Sequence, residues 1–262
     1  MLMLNIQAIP ALRDNYIWLI HAVDSAEVLI VDPGEAQPVI DALTEQQLNP
    51  VAILNTHYHY DHIDGIAELV DRYQLPVFGP NNAFIPKLST PLSAVSKLAI
   101  HPSFPKMDIL DIPGHTAVHL AYYFDDKLFC GDTLFAAGCG KLLGGTAEQL
   151  FNSLQQLINL PVATKIYCGH EYTQDNLQFA KAVESNNKAI LQRIDDVDIL
   201  REQGKVTLPT TLALELATNP FLRCDKADVI NAAEQFIGAQ LDSPLAVFKV
   251  LRAWKDRFFI PV

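Results

Sequence analysis

The chain has 262 residues, 50% of them hydrophobic and 19% charged, the balance of a globular protein with material for one large or two modest domains. A formal net charge of −11 argues against nucleic-acid binding by general phosphate neutralisation, so an anionic small substrate would need cations gathered locally. Four cysteines (Cys130, Cys139, Cys168 and Cys224) make no disulfide framework, no apolar run approaches the ~18 residues of a membrane span, and the opening residues lack a signal peptide's cationic region; the expected location is the cytoplasm.

In chain order, short runs rich in Val, Ile and aromatic residues predict strands at 4–9, 16–22, 28–31, 51–55, 77–79, 109–112, 121–124, 127–130 and 165–168. Helical periodicity falls between them at about 37–47, 63–73 and 147–159, the last with Leu150, Leu154, Leu157 and Ile158 on one face. Asp125-Asp126, between two strands, is a hairpin signal. After His170 the texture turns nearly all helical, broken at Gly204, Pro209, Pro220 and Pro244, with Ile190, Ile194 and Val197 at the helical period. The pattern predicts an α/β catalytic domain over 1–172 and a smaller helical domain over 173–262.

Directly after the apolar run Val51-Ala52-Ile53-Leu54 comes Thr56-His57-Tyr58-His59-Tyr60-Asp61-His62. Imidazole and carboxylate together suit zinc, iron or manganese. Alternate residues of an extended segment point the same way, so His57 and His59 can share one ion, while Asp61 and His62, past the turn, can reach a second. Strand carboxyl ends are where α/β folds usually carry their sites. A polar loop with incidental histidines explains poorly why three of the chain's eight histidines crowd here. Three further strand ends repeat one arrangement of strand, glycine and donor: Gly114-His115, Gly131-Asp132 and Gly169-His170, the glycine letting backbone approach the ions. Taken singly, each donor could be a cap or a solvated loop residue; the shared pattern is what counts. His119 reads either as a partner that orients a ligand or as a buried, hydrogen-bonded histidine. His21 and His101 lack donor company and read as structural or surface residues.

The spacing H-x-H-x-D-H, followed by the G-H, G-D and G-H strand ends, resembles the metallo-β-lactamase superfamily over about residues 1–170. The resemblance implies a four-layer αββα sandwich with two metals at one edge. His57, His59 and His115 would hold the first, Asp61, His62 and His170 the second, and Asp132 would bridge them. Three further segments are similar to the hydroxyacylglutathione hydrolase (glyoxalase II) family: Asp132-Thr-Leu-Phe-Ala-Ala-Gly-Cys-Gly-Lys141, Gly169-His170-Glu171-Tyr172-Thr173, and Arg252-Ala-Trp-Lys255-Asp256-Arg-Phe258. Pro209-Thr-Thr-Leu212 and Asn219-Pro-Phe221 extend the similarity to essentially the whole chain.

That resemblance implies hydrolysis of S-(2-hydroxyacyl)glutathione, typically S-lactoylglutathione to glutathione and D-lactate, by a metal-bridged hydroxide, in methylglyoxal detoxification. It implies two divalent ions per chain, zinc before iron or manganese, with Asp61 and Asp132 as the catalytic carboxylates. The helical domain would bind substrate, in a monomer that needs neither nucleic acid nor membrane. Lys141, Leu143, Tyr172, Arg252 and Lys255 would contact the glutathione part. Arg252 and Lys255, three apart, share a helix face, and an arginine fork suits a carboxylate; the plainer reading is a solvated helix end with Asp256 as partner. Tyr172 could equally be an aromatic shielding the metals. One departure is Leu142-Leu143-Gly144-Gly145, where the family often has an aromatic followed by Glu-Gly, which leaves a backbone contact at Leu143.

The main rival is a glutathione persulfide sulfur dioxygenase of the same superfamily; the complete second ligand set and the Arg252/Lys255 segment count against it. A nuclease is opposed by the acidic charge. No G-x-S-x-G surrounds a serine, Gly138-Cys139-Gly140-Lys141 lacks the G-K-[ST] of a phosphate loop, and Cys168 two residues from His170 is a weaker reading than a ligand role for that histidine.

Overall fold

The computed structural model describes residues 3–258. Its elements are β1 (Leu4–Ala11), β2 (Asn15–Ala22), β3 (Glu27–Val31), α1 (Gln37–Glu45), β4 (Asn49–Leu54), α2 (Tyr60–Ile63), α3 (Ile66–Tyr73), β5 (Val77–Pro80), β6 (Thr90–Leu92), β7 (Val95–Leu98), β8 (Met107–Asp111), β9 (Leu120–Phe124) and β10 (Lys127–Gly131). They continue with β11 (Leu134–Phe135), β12 (Gly138–Cys139), α4 (Ala147–Leu157), β13 (Lys165–Cys168), α5 (Thr173–Val183), α6 (Lys188–Glu202), β14 (Thr210–Thr211), α7 (Leu212–Thr218), α8 (Ala227–Ile237) and α9 (Pro244–Asp256). The architecture is a four-layer αββα sandwich with a helical C-terminal region. Its backbone forms two compact units, one of Met1–Asp111, Val118–Gly131 and Tyr167–His170, the other of Ile112–Ala117, Asp132–Ile166 and Glu171–Val262.

In the first unit, β1 to β6 make one sheet in sequence order, antiparallel through β3 and parallel from β3 to β6. Val39, Ile40 and Leu43 of α1 and Ile66 and Leu69 of α3 pack with Ile17, Leu19, Val28, Ile30 and Ile53 of the sheet. Alternation along β2 sends Ile17 and Leu19 to that face. β7 to β10 form antiparallel neighbours of a second sheet. The buried Tyr122 of β9 donates its hydroxyl to the Asn55 carbonyl at 2.8 Å, tying that sheet to the end of β4. Asp125 and Asp126 turn the β9–β10 hairpin with φ of 45° and 56°, a left-handed pair suited to a tight turn. Parallel pairing of β3 and β4 sets their carboxyl ends side by side, so Asp32 and Asn55–His57 leave the sheet together.

In the second unit, α4 starts in a capping box between Thr146 and Gln149 and buries Leu150, Leu154 and Leu157; Ile158 is only its half-buried C-cap. Ala137, Leu177, Ala180, Ile190 and Val197 form a core there, with Ile194 half-buried against it. One expectation changes. The helix expected over about 63–73 begins only at Ile66, as α3, while Ile63 closes the separate turn α2, because Gly65 sits hard against residues 33–36 and donates to the Pro33 carbonyl at 3.0 Å. After His170 the described residues are nearly all helical, with Thr210–Thr211 a two-residue strand paired with Lys165–Ile166.

Candidate metal centre

His57 follows β4, His59 caps α2, and Asp61 and His62 lie inside that single-turn helix. His57 Nε2 and His59 Nδ1 face each other at 3.1 Å. Asp61, His62 and His170 form a second group whose donor atoms all lie within 4.8 Å of one another. His62 Nε2 is 3.7 Å and His170 Nε2 3.4 Å from Asp61 Oδ2.

Partners that sequence reasoning missed fix these rings. Asp32, at the end of β3, accepts from Thr56 N and Thr56 Oγ1 at 2.7 Å, from His62 Nδ1 at 3.1 Å and from Asn55 Nδ2 at 3.2 Å. A carboxylate only accepts, so Nδ1 of His62 carries the proton and its Nε2 lone pair turns toward Asp61. The Thr56 hydroxyl gives its proton to Asp32 and so accepts from His57 Nδ1 at 3.0 Å, which leaves His57 Nε2 for His59. Asp32, His57 and His62 also lie close enough to form a donor trio, but Asp32 spends its oxygens on these four donors and orients the two histidines. Asp14 accepts from His170 Nδ1 at 2.8 Å, turning its Nε2 toward Asp61 in the same way. Imidazole nitrogens and a carboxylate oxygen, inward-facing and backed by carboxylates, are a donor set that fits divalent transition metals. Nothing in the local sequence marks Asp14; the signal for Asp32 is Val31-Asp32-Pro33-Gly34, another strand ending in a carboxylate and a turn.

His119 is buried, stacks on His57 with centroids 4.6 Å apart and bonds the Leu120 carbonyl through Nδ1 at 3.1 Å. Gly131 holds φ at +48°, and a Cβ there would lie 2.2 Å from Thr56 Oγ1, so it is protein packing that demands the glycine. The Cys168 thiol is buried and lies 3.8 Å from the His170 backbone carbonyl.

The second unit carries His115 and Asp132. His115 Nδ1 donates to the Lys141 carbonyl at 2.8 Å, and its Nε2 lies 3.6 Å from Asp132 Oδ2. Gly114, at φ +141°, makes room for α4, since a Cβ would lie 2.3 Å from the Leu150 Cα. The Leu143 amide donates to the His115 carbonyl at 2.8 Å, and its side chain is 53% exposed.

Lys141 is exposed, and Tyr172 packs edge-on against Phe135 at 5.2 Å. Arg252 has a task that neither sequence reading included. It is only 3% exposed, its Nη1 donates to the carbonyls of Cys139 (2.9 Å) and Gly140 (3.3 Å), and its guanidinium lies over Phe221; Nη2 pairs with Asp256 at 2.9 Å. Lys255 donates to the Asp175 carbonyl at 3.0 Å and lies over the rings of Phe179 and Phe258. Burial above all, then the charge of Arg252 and to a smaller extent that of Lys141, pulls the Lys255 ammonium down to a pKa of about 8. Three cations thus gather in an acidic protein.

Comparisons with known proteins match nearly the whole chain. The hydroxyacylglutathione hydrolase C-terminus profile matches residues 171–258, and the metallo-beta-lactamase superfamily profile matches 11–94 and 98–170. A hydroxyacylglutathione hydrolase of Nitrosomonas europaea is 46% identical, covering 98% of this chain and 97% of its own. Among solved structures, the BLEG-1 B3 metallo-beta-lactamase superposes with a TM-score of 0.62 at 25% identity, over 83% of this chain and 99% of that one. TTHA1623 in a di-iron-bound form superposes with a TM-score of 0.58 at 26% identity, over 83% and 100%.

Proposed function

Since the chain belongs to the hydroxyacylglutathione hydrolase family, within the metallo-β-lactamase superfamily, we propose that it hydrolyses S-(2-hydroxyacyl)glutathione thioesters. S-Lactoylglutathione is the expected substrate, releasing glutathione and D-lactate in methylglyoxal detoxification. The observation that carries the glutathione assignment is the gathering of Lys141, Arg252 and Lys255, since the histidine cluster alone specifies only the superfamily. Residues 1–172 supply the catalytic part and 173–262 the substrate-binding part, in a monomeric cytoplasmic enzyme.

His57, His59 and His115 would hold one divalent ion and Asp61, His62 and His170 a second, with Asp132 available to both. Zinc suits this set best, with iron and manganese as alternatives; the di-iron form of TTHA1623 supports a pair of ions. When bound, such ions polarise a carbonyl and acidify water toward a pKa of ~7. The chain's own residues do the rest. Asp61 keeps Oδ2 toward His62 and His170 and orients the attacking water. A glutathione thiolate, with a reference pKa near ~8.5, leaves without a dedicated acid. Lys255 and Lys141 attract the substrate's carboxylates, and Arg252 holds the 139–140 backbone in place beneath them as well as adding its charge. Tyr172 contacts the glutathione backbone, as does the backbone at Leu143.

Identity of 46% over the whole chain to a hydroxyacylglutathione hydrolase is what favours hydrolysis over persulfide oxidation. Thiol release from S-lactoylglutathione, followed before and after removal of metal by a chelator and again after zinc is restored, tests the reading. Activity is expected to vanish and return; hydrolysis undiminished after metal removal would overturn it.

A further inference from the structure

Asp14, already met on His170, is followed at the end of the β1–β2 hairpin by Asn15, and the two successive residues grip two of the proposed ligands. β1 and β2 pair from Leu4↔Ala22 to Ala11↔Asn15, leaving Leu12, Arg13 and Asp14 as the loop. Asp14 Oδ1 accepts from His170 Nδ1 at 2.8 Å. Asn15, 6% exposed, donates its Nδ2 to Asp61 Oδ2 at 3.0 Å and to the Asp61 carbonyl at 3.2 Å. The backbone adds a third tie: Asn15 bridges to His170, and the Tyr16 amide donates to the Gly169 carbonyl at 2.8 Å.

Both side-chain contacts act on direction. An imidazole whose Nδ1 proton is held by a carboxylate presents its Nε2 lone pair, here 3.4 Å from Asp61 Oδ2. A carboxylate that accepts an amide proton on one oxygen and whose backbone is held by the same amide cannot swing away. His57 depends on neither contact, since Asp32 orients it through Thr56. The clamp therefore acts on one ion of the two.

We propose that Asp14 and Asn15 are positioning residues for the ion held by Asp61, His62 and His170, setting its affinity separately from that of the ion held by His57 and His59. The inference rests on the two-ion reading of the preceding subsection. Orienting partners of metal ligands are worth about 10- to 100-fold in affinity.

The test is titration of the metal-free full chain with cobalt(II), followed by visible absorption, for wild type, Asp14→Ala, Asn15→Ala and, on the same loop but away from the ligands, Arg13→Ala. Wild type and R13A are expected to take up two equivalents. D14A and N15A are expected to bind one as in wild type and the other about 10- to 100-fold more weakly. Thermal melting of the metal-free proteins separates this from misfolding. Should D14A not fold, Asp14→Asn keeps an accepting oxygen and is expected to weaken the same equivalent by about tenfold, the low end of that range. Two equivalents bound by the variants with wild-type affinity, or both weakened equally, would overturn the proposal. A wild-type chain that takes up fewer than two equivalents would overturn the two-ion reading and the proposal with it.

Discussion

Asp32, outside the proposed ligand set, reaches two of its members, His57 through Thr56 and His62 directly. Asp32→Ala is therefore expected to weaken binding of both ions by about 10- to 100-fold, measured by competition with a chromophoric chelator; unaltered affinity for either ion would remove it from that role. On the substrate side, Arg252→Ala is expected to raise KM far more than it lowers kcat, because its charge is used equally in the bound and reacting states. A pure kcat defect would count against substrate binding. Lys255 gives a pH signature with a definite sign. Its pKa is depressed to about 8, so the ammonium is lost as pH rises through that value. KM for a glutathione thioester is expected to climb above pH about 8, and Lys255→Arg, which stays charged, to move the rise upward. A KM flat with pH in wild type would mean that the Lys255 charge does not act on substrate.

Among the elements, the β11–β12 hairpin between Asp132 and Lys141 is held from below by one buried carboxylate. Glu215, fully buried on α7, accepts from Arg193 Nη2 at 2.6 Å, Thr210 Oγ1 and the Ala137 amide at 2.7 Å, and Asn219 Nδ2 at 2.9 Å. Asn219 in turn donates to the carbonyls of Phe135 and Gly138. Removing one partner of a buried pair strands the other charge, so Glu215→Ala is expected to cost roughly 3–5 kcal/mol, read as a loss in denaturant midpoint; a cost under about 1 kcal/mol would show the network to be dispensable. None of this was legible beforehand, because Glu215 reads as an ordinary exposed helix residue until long-range folding brings Arg193 and Ala137 to it. What periodicity does encode came through: β1 to β5 of the first sheet, the Asp125-Asp126 hairpin and the leucine face of α4, whereas the three-residue β6 carried no signal. Short or broken elements did not, since β14 has only two residues and Gly65 interrupts a helix whose apolar spacing runs straight through it.

For the whole molecule, the proposed ligands were readable because each closes a strand or opens a turn with a donor side chain, whereas their orienting partners Asp14, Asn15 and Asp32 sit at the ends of other elements, up to 156 residues away. Binding to the folded form alone stabilises a protein by about 4 kcal/mol at 1,000 Kd, so chelation is expected to lower the melting temperature and metal to restore it. Beyond stability, an acidic chain of net charge −11 must overcome its own field to hold an anionic thioester, and the cations on and near α9 are the proposed means of doing so. The most direct measurement is kcat/KM for S-lactoylglutathione beside the same lactoyl group on a thiol without the γ-glutamyl and glycyl carboxylates. Two charge-assisted contacts of about 1.5 kcal/mol each correspond to roughly a 100-fold preference for the glutathione ester. Equal kcat/KM on the two esters would contradict glutathione recognition.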